Sequence, residues 1–150
     1  MNRRNFLSVT FGALALAVVP TSVRAEDFRK LKPLVWSAKT VDDAIKNMYG
    51  SNDLIFKGVK LKTPKVAANG GAIPVSFSTK IPAKTVSLYQ DSNPESAVIV
   101  YDVGEYDLTD YGIKLKMAKS GTITVVVEGK DGKLYAAKRS LEVALGGCEG

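Results

Sequence analysis

The residue with the most reactive chemistry in this 150-residue chain is Cys148, its single cysteine, set in Gly146-Gly147-Cys148-Glu149-Gly150. A thiol can act as nucleophile, metal ligand or redox group, but each use needs neighbours. One cysteine makes no intramolecular disulfide and no multi-cysteine zinc site. The chain has no histidine. It therefore lacks the commonest general base, the commonest metal ligand and the usual activator of a serine or cysteine nucleophile. No cationic side chain follows Arg139, whereas Glu149 and the carboxylate of Gly150 flank the thiol. Both negative charges disfavour the thiolate and hold its expected pKa at or above about 8.5. The pattern predicts a thiol that other proteins modify, with no catalysis of its own.

Access is the second requirement. Gly146 and Gly147 remove bulk and add backbone freedom, and no apolar residue follows Leu145. Residues 146–150, Cys148 and Gly150 included, are expected to form a flexible arm. Leu141, Val143 and Leu145 alternate before it, which predicts a last strand that anchors it. An extended arm would hold the thiol on the order of 10 Å beyond that strand. Lipidation fits poorly, because two residues follow the cysteine where prenylation needs three.

The opposite end reads as an export signal over residues 1–25. Arg3-Arg4-Asn5-Phe6-Leu7 is a twin-arginine pattern, residues 11–19 form an apolar core, and Val23-Arg24-Ala25 offers a cleavage site after Ala25. The apolar run is too short for a permanent membrane helix. Twin-arginine export implies a periplasmic protein that folds before it crosses, with no membrane attachment after cleavage. Removing three arginines and no acid lowers the formal net charge from +6 to +3. The remaining lysines are spread along strand-like segments with no interleaved aromatic stripe, which argues against nucleic-acid binding.

The elements that must position the arm are mainly β, with one core expected over residues 26–145. A polar leader carries Trp36. Thr40 then reads as a helix N-cap with Asp43 as its capping-box partner, and Val41, Ala44, Ile45 and Met48 follow at helical spacing as far as Gly50. This predicts one short helix over Val41–Tyr49. From Lys57 onward the period becomes two: Val59 and Leu61; Ile73, Val75 and Phe77; Val86 and Leu88; Ile113, Leu115 and Met117; Ile123, Val125 and Val127. Asp91-Ser92-Asn93-Pro94 and Lys130-Asp131-Gly132-Lys133 are turns. About seven short strands with regular turn signals predict a β-sandwich. Residues 97–103 form a dense apolar run that suits a buried strand. That run, Tyr106 and Tyr111 are also candidates for a partner interface, and core packing explains them about as well.

Four stretches resemble the SoxY family, the sulfur-carrier subunit of the bacterial thiosulfate-oxidising Sox system. They are residues 63–75, the Asn93-Pro94 turn, residues 113–118 with Asp131-Gly132-Lys133-Leu134-Tyr135, and the terminal Gly-Gly-Cys. The resemblance implies an immunoglobulin-like β-sandwich with a short N-terminal helix and a C-terminal swinging arm. It implies a carrier that is not an enzyme and holds no cofactor beyond sulfur bound covalently to Cys148. It also implies a SoxZ-like partner subunit exported as a folded passenger. A SoxXA cytochrome would conjugate thiosulfate to Cys148, a SoxB hydrolase would release sulfate, and in some systems a sulfane dehydrogenase would act on the remaining sulfur. Glu149 stands where the family has glycine. A different class of function remains open beside this one: a periplasmic β-sandwich binding module that cross-links to a partner through its tail cysteine. A self-sufficient thiol oxidoreductase is the weakest fit, because the chain has no resolving cysteine and no activating base.

Overall fold

The computed structural model describes residues 26–144. Among the described residues three helices come first: α1 (Phe28–Leu31), α2 (Pro33–Ser37) and α3 (Val41–Tyr49). Nine strands follow: β1 (Leu54–Ile55), β2 (Val59–Lys62), β3 (Val66–Ala67), β4 (Ile73–Thr79), β5 (Ala83–Gln90), β6 (Ala97–Asp102), β7 (Asp110–Leu115), β8 (Gly121–Gly129) and β9 (Leu134–Val143). None of the described helices is long and apolar enough to cross a membrane.

Helix α3 has the bounds its sequence predicts. Thr40 Oγ1 accepts from the Asp43 N–H at 3.1 Å and donates to Asp43 Oδ2 at 2.7 Å, a local cap that satisfies one orphan amide. Gly50 ends the helix at φ 77°, a left-handed conformation that glycine adopts without a Cβ penalty. The leader before Thr40 departs from expectation, because it is helical. Asp27 Oδ1 accepts from the Arg29 and Lys30 amides, and Pro33 starts α2. Trp36 Nε1 donates to Phe28 O at 3.1 Å beneath the Arg29 guanidinium, which lies 4.2 Å from the ring centroid. Helices this short lack a readable period and persist through packing. Lys32 Nζ donates to Met48 O, and Asn47 Nδ2 donates to Leu34 O, so the helices brace one another.

The strands form the expected two-sheet sandwich. One sheet runs β1-β9-β8-β5-β6, with β3 added beside the far end of β9, and the other runs β2-β4-β7. Between them lie Leu61, Ile73, Val75, Phe77 and Leu115 from the smaller sheet and Val86, Leu88, Ile123, Val125, Val127 and Leu141 from the larger. A second cluster covers the outer face of the larger sheet. There Phe28, Val35, Ala44, Ile45 and Met48 of the helical layer meet Tyr89, Val126, Leu134 and Ala136. The central strands β5 and β8 are therefore buried on both faces, which is why Val125-Val126-Val127 is an unbroken apolar run. Each fully buried side chain of this size is worth roughly 1.5–3 kcal/mol.

The apolar run at 97–103 departs from expectation. Strand β6 is the edge of the larger sheet and pairs only with β5 among the described residues, and its apolar side chains are half-buried. Hydropathy alone does not separate a central strand from an apolar edge. Tyr106 is 91% exposed, while Tyr111 stacks on Tyr101 with centroids 4.6 Å apart and also contacts Phe77.

Several polar side chains of the helix-covered face are tied together. Tyr49 Oη lies 2.7 Å from Ser87 Oγ and 3.1 Å from Thr85 Oγ1, and Thr85 donates to Glu128 Oε2. Burial pushes the Tyr49 phenol from 10.0 up to about 12, against the lowering effect of the Ser87 and Thr85 hydroxyls. A phenol protonated longer in the folded chain than in the unfolded one stabilises the fold fully below pH 10 and loses that contribution as pH rises through 12. Tyr49→Phe should cost about 1–2 kcal/mol at neutral pH and weaken the alkaline loss of stability. Denaturant melts of both chains across pH 7 to 12 check this: a parental chain as stable at the alkaline limit of this range as at neutrality would refute it.

Candidate functional site

The sequence places the reactive group at Cys148, with Gly146, Gly147, Glu149 and Gly150 as its arm. All five lie outside the described residues, as does Leu145. The structure does show the root from which that segment leaves, the end of β9 at Val143 and Ala144.

Strand β9 is long enough to link the two ends of the sandwich. Its first residues follow the hairpin turn at Gly132, whose φ of 78° the turn requires. There Tyr135 Oη donates to Asp131 Oδ2 at 2.7 Å, which holds the Asp131 carboxyl below its ordinary range and raises the Tyr135 phenol. Ten residues of strand carry the chain about 30 Å to the root. Along that length β8 pairs with β9 from Glu128↔Leu134 to Gly121↔Leu141.

The root is held from two sides. On one side β3 pairs parallel to β9, with Val66 opposite Glu142 and Ala67 opposite Val143. Glu142 N donates to Lys65 O at 2.9 Å, and Ala144 N donates to Ala67 O at 3.0 Å. On the other side Val143 N donates to Ser120 Oγ at 2.9 Å. Three successive amides are thus satisfied immediately before the arm.

Three loops converge to build this clamp. In the loop before β4, Met117 N donates to Gly70 O at 2.9 Å, and Asn69 Oδ1 caps the Gly71 amide at 2.8 Å. A Cβ on Gly70 would stand 2.7 Å from Met117 O and 2.9 Å from Val143 Cγ1, so glycine permits the close approach. In the turn after β5, Asn93 Nδ2 donates to Lys116 O and Asn93 Oδ1 accepts from the Ala118 amide, while Asp91 Oδ1 accepts from Thr122 N. Buried Gln90 organises that turn. Its Oε1 takes the Ser92 and Asn93 amides and the Ser92 hydroxyl, and its Nε2 donates to Glu95 O. The stretches at 63–75, Asn93-Pro94 and 113–118 therefore come together at the root, whereas Asp131–Tyr135 lies at the opposite end. Ser120 was not singled out from sequence, and Lys65 and Ala67 entered only as part of the 63–75 stretch, with no role. Lys65 and Ala67 act through backbone carbonyls, which side-chain type does not report.

A cleft of about 620 Å³ is lined by Tyr49, Asp53, Leu54, Glu128 and Lys133. Its phenol is hydrogen-bonded and shifted away from neutrality, so it is equipped to hold α3 on the sheet and not to move protons at neutral pH. No group of three His, Cys, Asp or Glu that could hold a metal ion occurs among the described residues.

Residues 45–148 match a family described as "Sulfur oxidation protein SoxY", a match that extends to the cysteine itself. The chain belongs to the SoxY family. The sulfur carrier protein SoxY from Chlorobium limicola f thiosulfatophilum is similar in structure, with TM-score 0.63 and 33% identity over 70% of this chain and 96% of that one. Fold alone is shared with a superoxide reductase (neelaredoxin) from Ignicoccus hospitalis, with TM-score 0.52 and 18% identity over 59% of this chain and 81% of that one. It is likewise shared with a putative superoxide reductase from Thermotoga maritima, with TM-score 0.50 and 12% identity over 85% and 98%. No curated protein matches the sequence.

Two variants test the clamp. Gly70→Ala should lower stability by about 1–3 kcal/mol, because the added methyl meets a backbone carbonyl. Ser120→Ala should cost about 1 kcal/mol and speed hydrogen exchange at the Val143 amide while the Val125 amide stays protected. Equal exchange at Val143 in both chains would show that the hydroxyl does not hold the root.

Proposed function

We propose that this SoxY-family chain is a periplasmic covalent sulfur carrier, exported by the twin-arginine pathway, that holds thiosulfate-derived intermediates on Cys148. The observation that carries the reading is the family match, which covers the sandwich and runs on to Cys148. The chemistry is consistent with it. Oxidative conjugation joins the cysteine sulfur to the sulfane sulfur of thiosulfate, with two electrons passing to a cytochrome of the SoxXA type and the thiol proton to solvent. Hydrolysis by a SoxB-type enzyme then adds water across the terminal sulfur–sulfonate bond, releases sulfate and leaves a persulfide on Cys148. A sulfane dehydrogenase, where present, would oxidise that remaining sulfur to a sulfonate, with water supplying the three oxygens and six electrons passing to that enzyme's own acceptor. The carrier needs no base and no resident cofactor for these steps, only a reachable thiol on a firmly held stem. That division of labour matches a chain with no histidine and a root whose three last amides are all bonded.

A SoxZ-like subunit is the expected partner. Glu149, beside the thiol, modulates reactivity through its charge. The alternative, a binding module that only cross-links through its tail, predicts a different product on the same sulfur.

Cys148→Ser should abolish thiosulfate turnover by a reconstituted system while melting temperature and partner binding stay unchanged. Intact-mass spectrometry of the parental chain should show thiosulfonate or sulfane sulfur on Cys148. Intermolecular disulfides alone would favour the binding module, and undiminished turnover by the serine variant would refute the carrier. Glu149→Gly should leave stability unchanged and raise the thiol alkylation rate several-fold at fixed pH, as expected when a neighbouring carboxylate disfavours the thiolate. Equal rates would show that this carboxylate does not govern reactivity.

A further inference from the structure

One long side of the sandwich is open. Strand β6 ends the larger sheet, β7 ends the smaller, and each has a partner on one side only among the described residues. The two edges lie together, as the Tyr101–Tyr111 stack at 4.6 Å shows. Ile99 and Tyr101 pair with core residues Leu88 and Val86, while Tyr111 and Ile113 pair with Phe77 and Val75. These four side chains point into the mouth between the sheets, yet all remain half-exposed. Exposed strand edges are normally blunted by lysine, proline or a bulge. Residues 97–101 contain no charge and no proline, and the register break opposite Leu88 and Tyr89 leaves Ile99–Asp102 regular. The opposite side differs, because β1 and β3 cover parts of the β9 edge and lysines mark β2.

Charge narrows the occupant. Between Tyr101 and Ile113 the chain carries Asp102, Glu105, Asp107 and Asp110 and no cation, and none of the four is ion-paired among the described residues. These carboxylates surround Tyr106 and Leu108, which are 91% and 86% exposed.

We propose that the β6–β7 side is the docking surface for the partner subunit, which adds an apolar β-strand along β6 and sets cationic residues against the acidic 102–110 loop. This rests on the reading that the chain works beside a second subunit, and it assigns the surface that subunit covers. Unpaired backbone amides and carbonyls select a strand, the half-buried side chains supply the apolar contact, and the loop selects for positive charge. One end of this surface lies beside the 116–121 loop that holds the root of β9, so the partner would lie next to the clamp without covering it.

Hydrogen exchange of the full chain, alone and with a co-expressed SoxZ-like subunit, tests this. Exchange at 97–102 and 110–115 should slow at least tenfold in the complex, while 57–62 and 136–141 stay unchanged. Tyr101→Lys and Ile113→Lys, checked for native melting, should weaken binding at least tenfold. Lys60→Glu on the opposite side should bind within twofold of the parent. Glu105→Lys with Asp107→Lys should also weaken binding, with less effect as salt rises. A complex protected elsewhere, or one that tolerates the folded lysine variants, overturns the docking surface alone. Absence of any complex overturns the partner reading and the docking surface with it. Concentration-dependent protection of β6 in the chain by itself would assign the surface to a second copy and overturn the proposal.

Discussion

Two-sided burial of strands β5 and β8 is the constraint on which the molecule depends. Each serves two cores at once, one shared with the smaller sheet and one shared with the helical layer. A one-residue slip would send every inward side chain to the wrong face, so register is fixed by both layers together. Strand β9 inherits that register from β8 across eight pairs. The position of the root at Val143 and Ala144 is thereby set by packing at the centre of the molecule.

The chain divides its labour between its ends. At one end three loops close around the last residues of β9, using Gly70, Asn93 and Ser120 to satisfy amides and to allow close approach. At the other end the hairpin at Gly132 and the acidic loop face solvent. Between them one long side is sealed in part by β1 and β3, and the other is left with two strand edges and an aromatic stack. The clamp around the end of β9 and the open side are thus distinct features of this SoxY-family chain.

Much of this was legible in the sequence. Helix α3 and its caps followed from Thr40, Asp43 and Gly50, because capping is local chemistry. Strands β4, β7 and β8 followed from alternation, and the sandwich followed from their number and spacing. The helical leader was not legible, since two helices of four and five residues hold no period and rely on Trp36 and Lys32 reaching distant carbonyls. Strands β1 and β3, two residues each, were missed for the same reason. Residues 97–103 were ambiguous because an apolar edge and a central strand have the same composition. Cys148 was singled out by its isolation and its glycines, and it lies outside the described residues. The clamp behind it was not, because it is made largely of backbone carbonyls.

The parallel pairing of β3 with β9 has a mechanical consequence. A tug on the C-terminal segment acts along the axis of β9. The bonds to Lys65 and Ala67 on one flank, and the ladder to β8 on the other, run across that axis. Such a load falls on all of them in shear and does not open them one after another. A load applied at Ala144 is therefore shared among these bonds, and β9 keeps its place in the sheet under it.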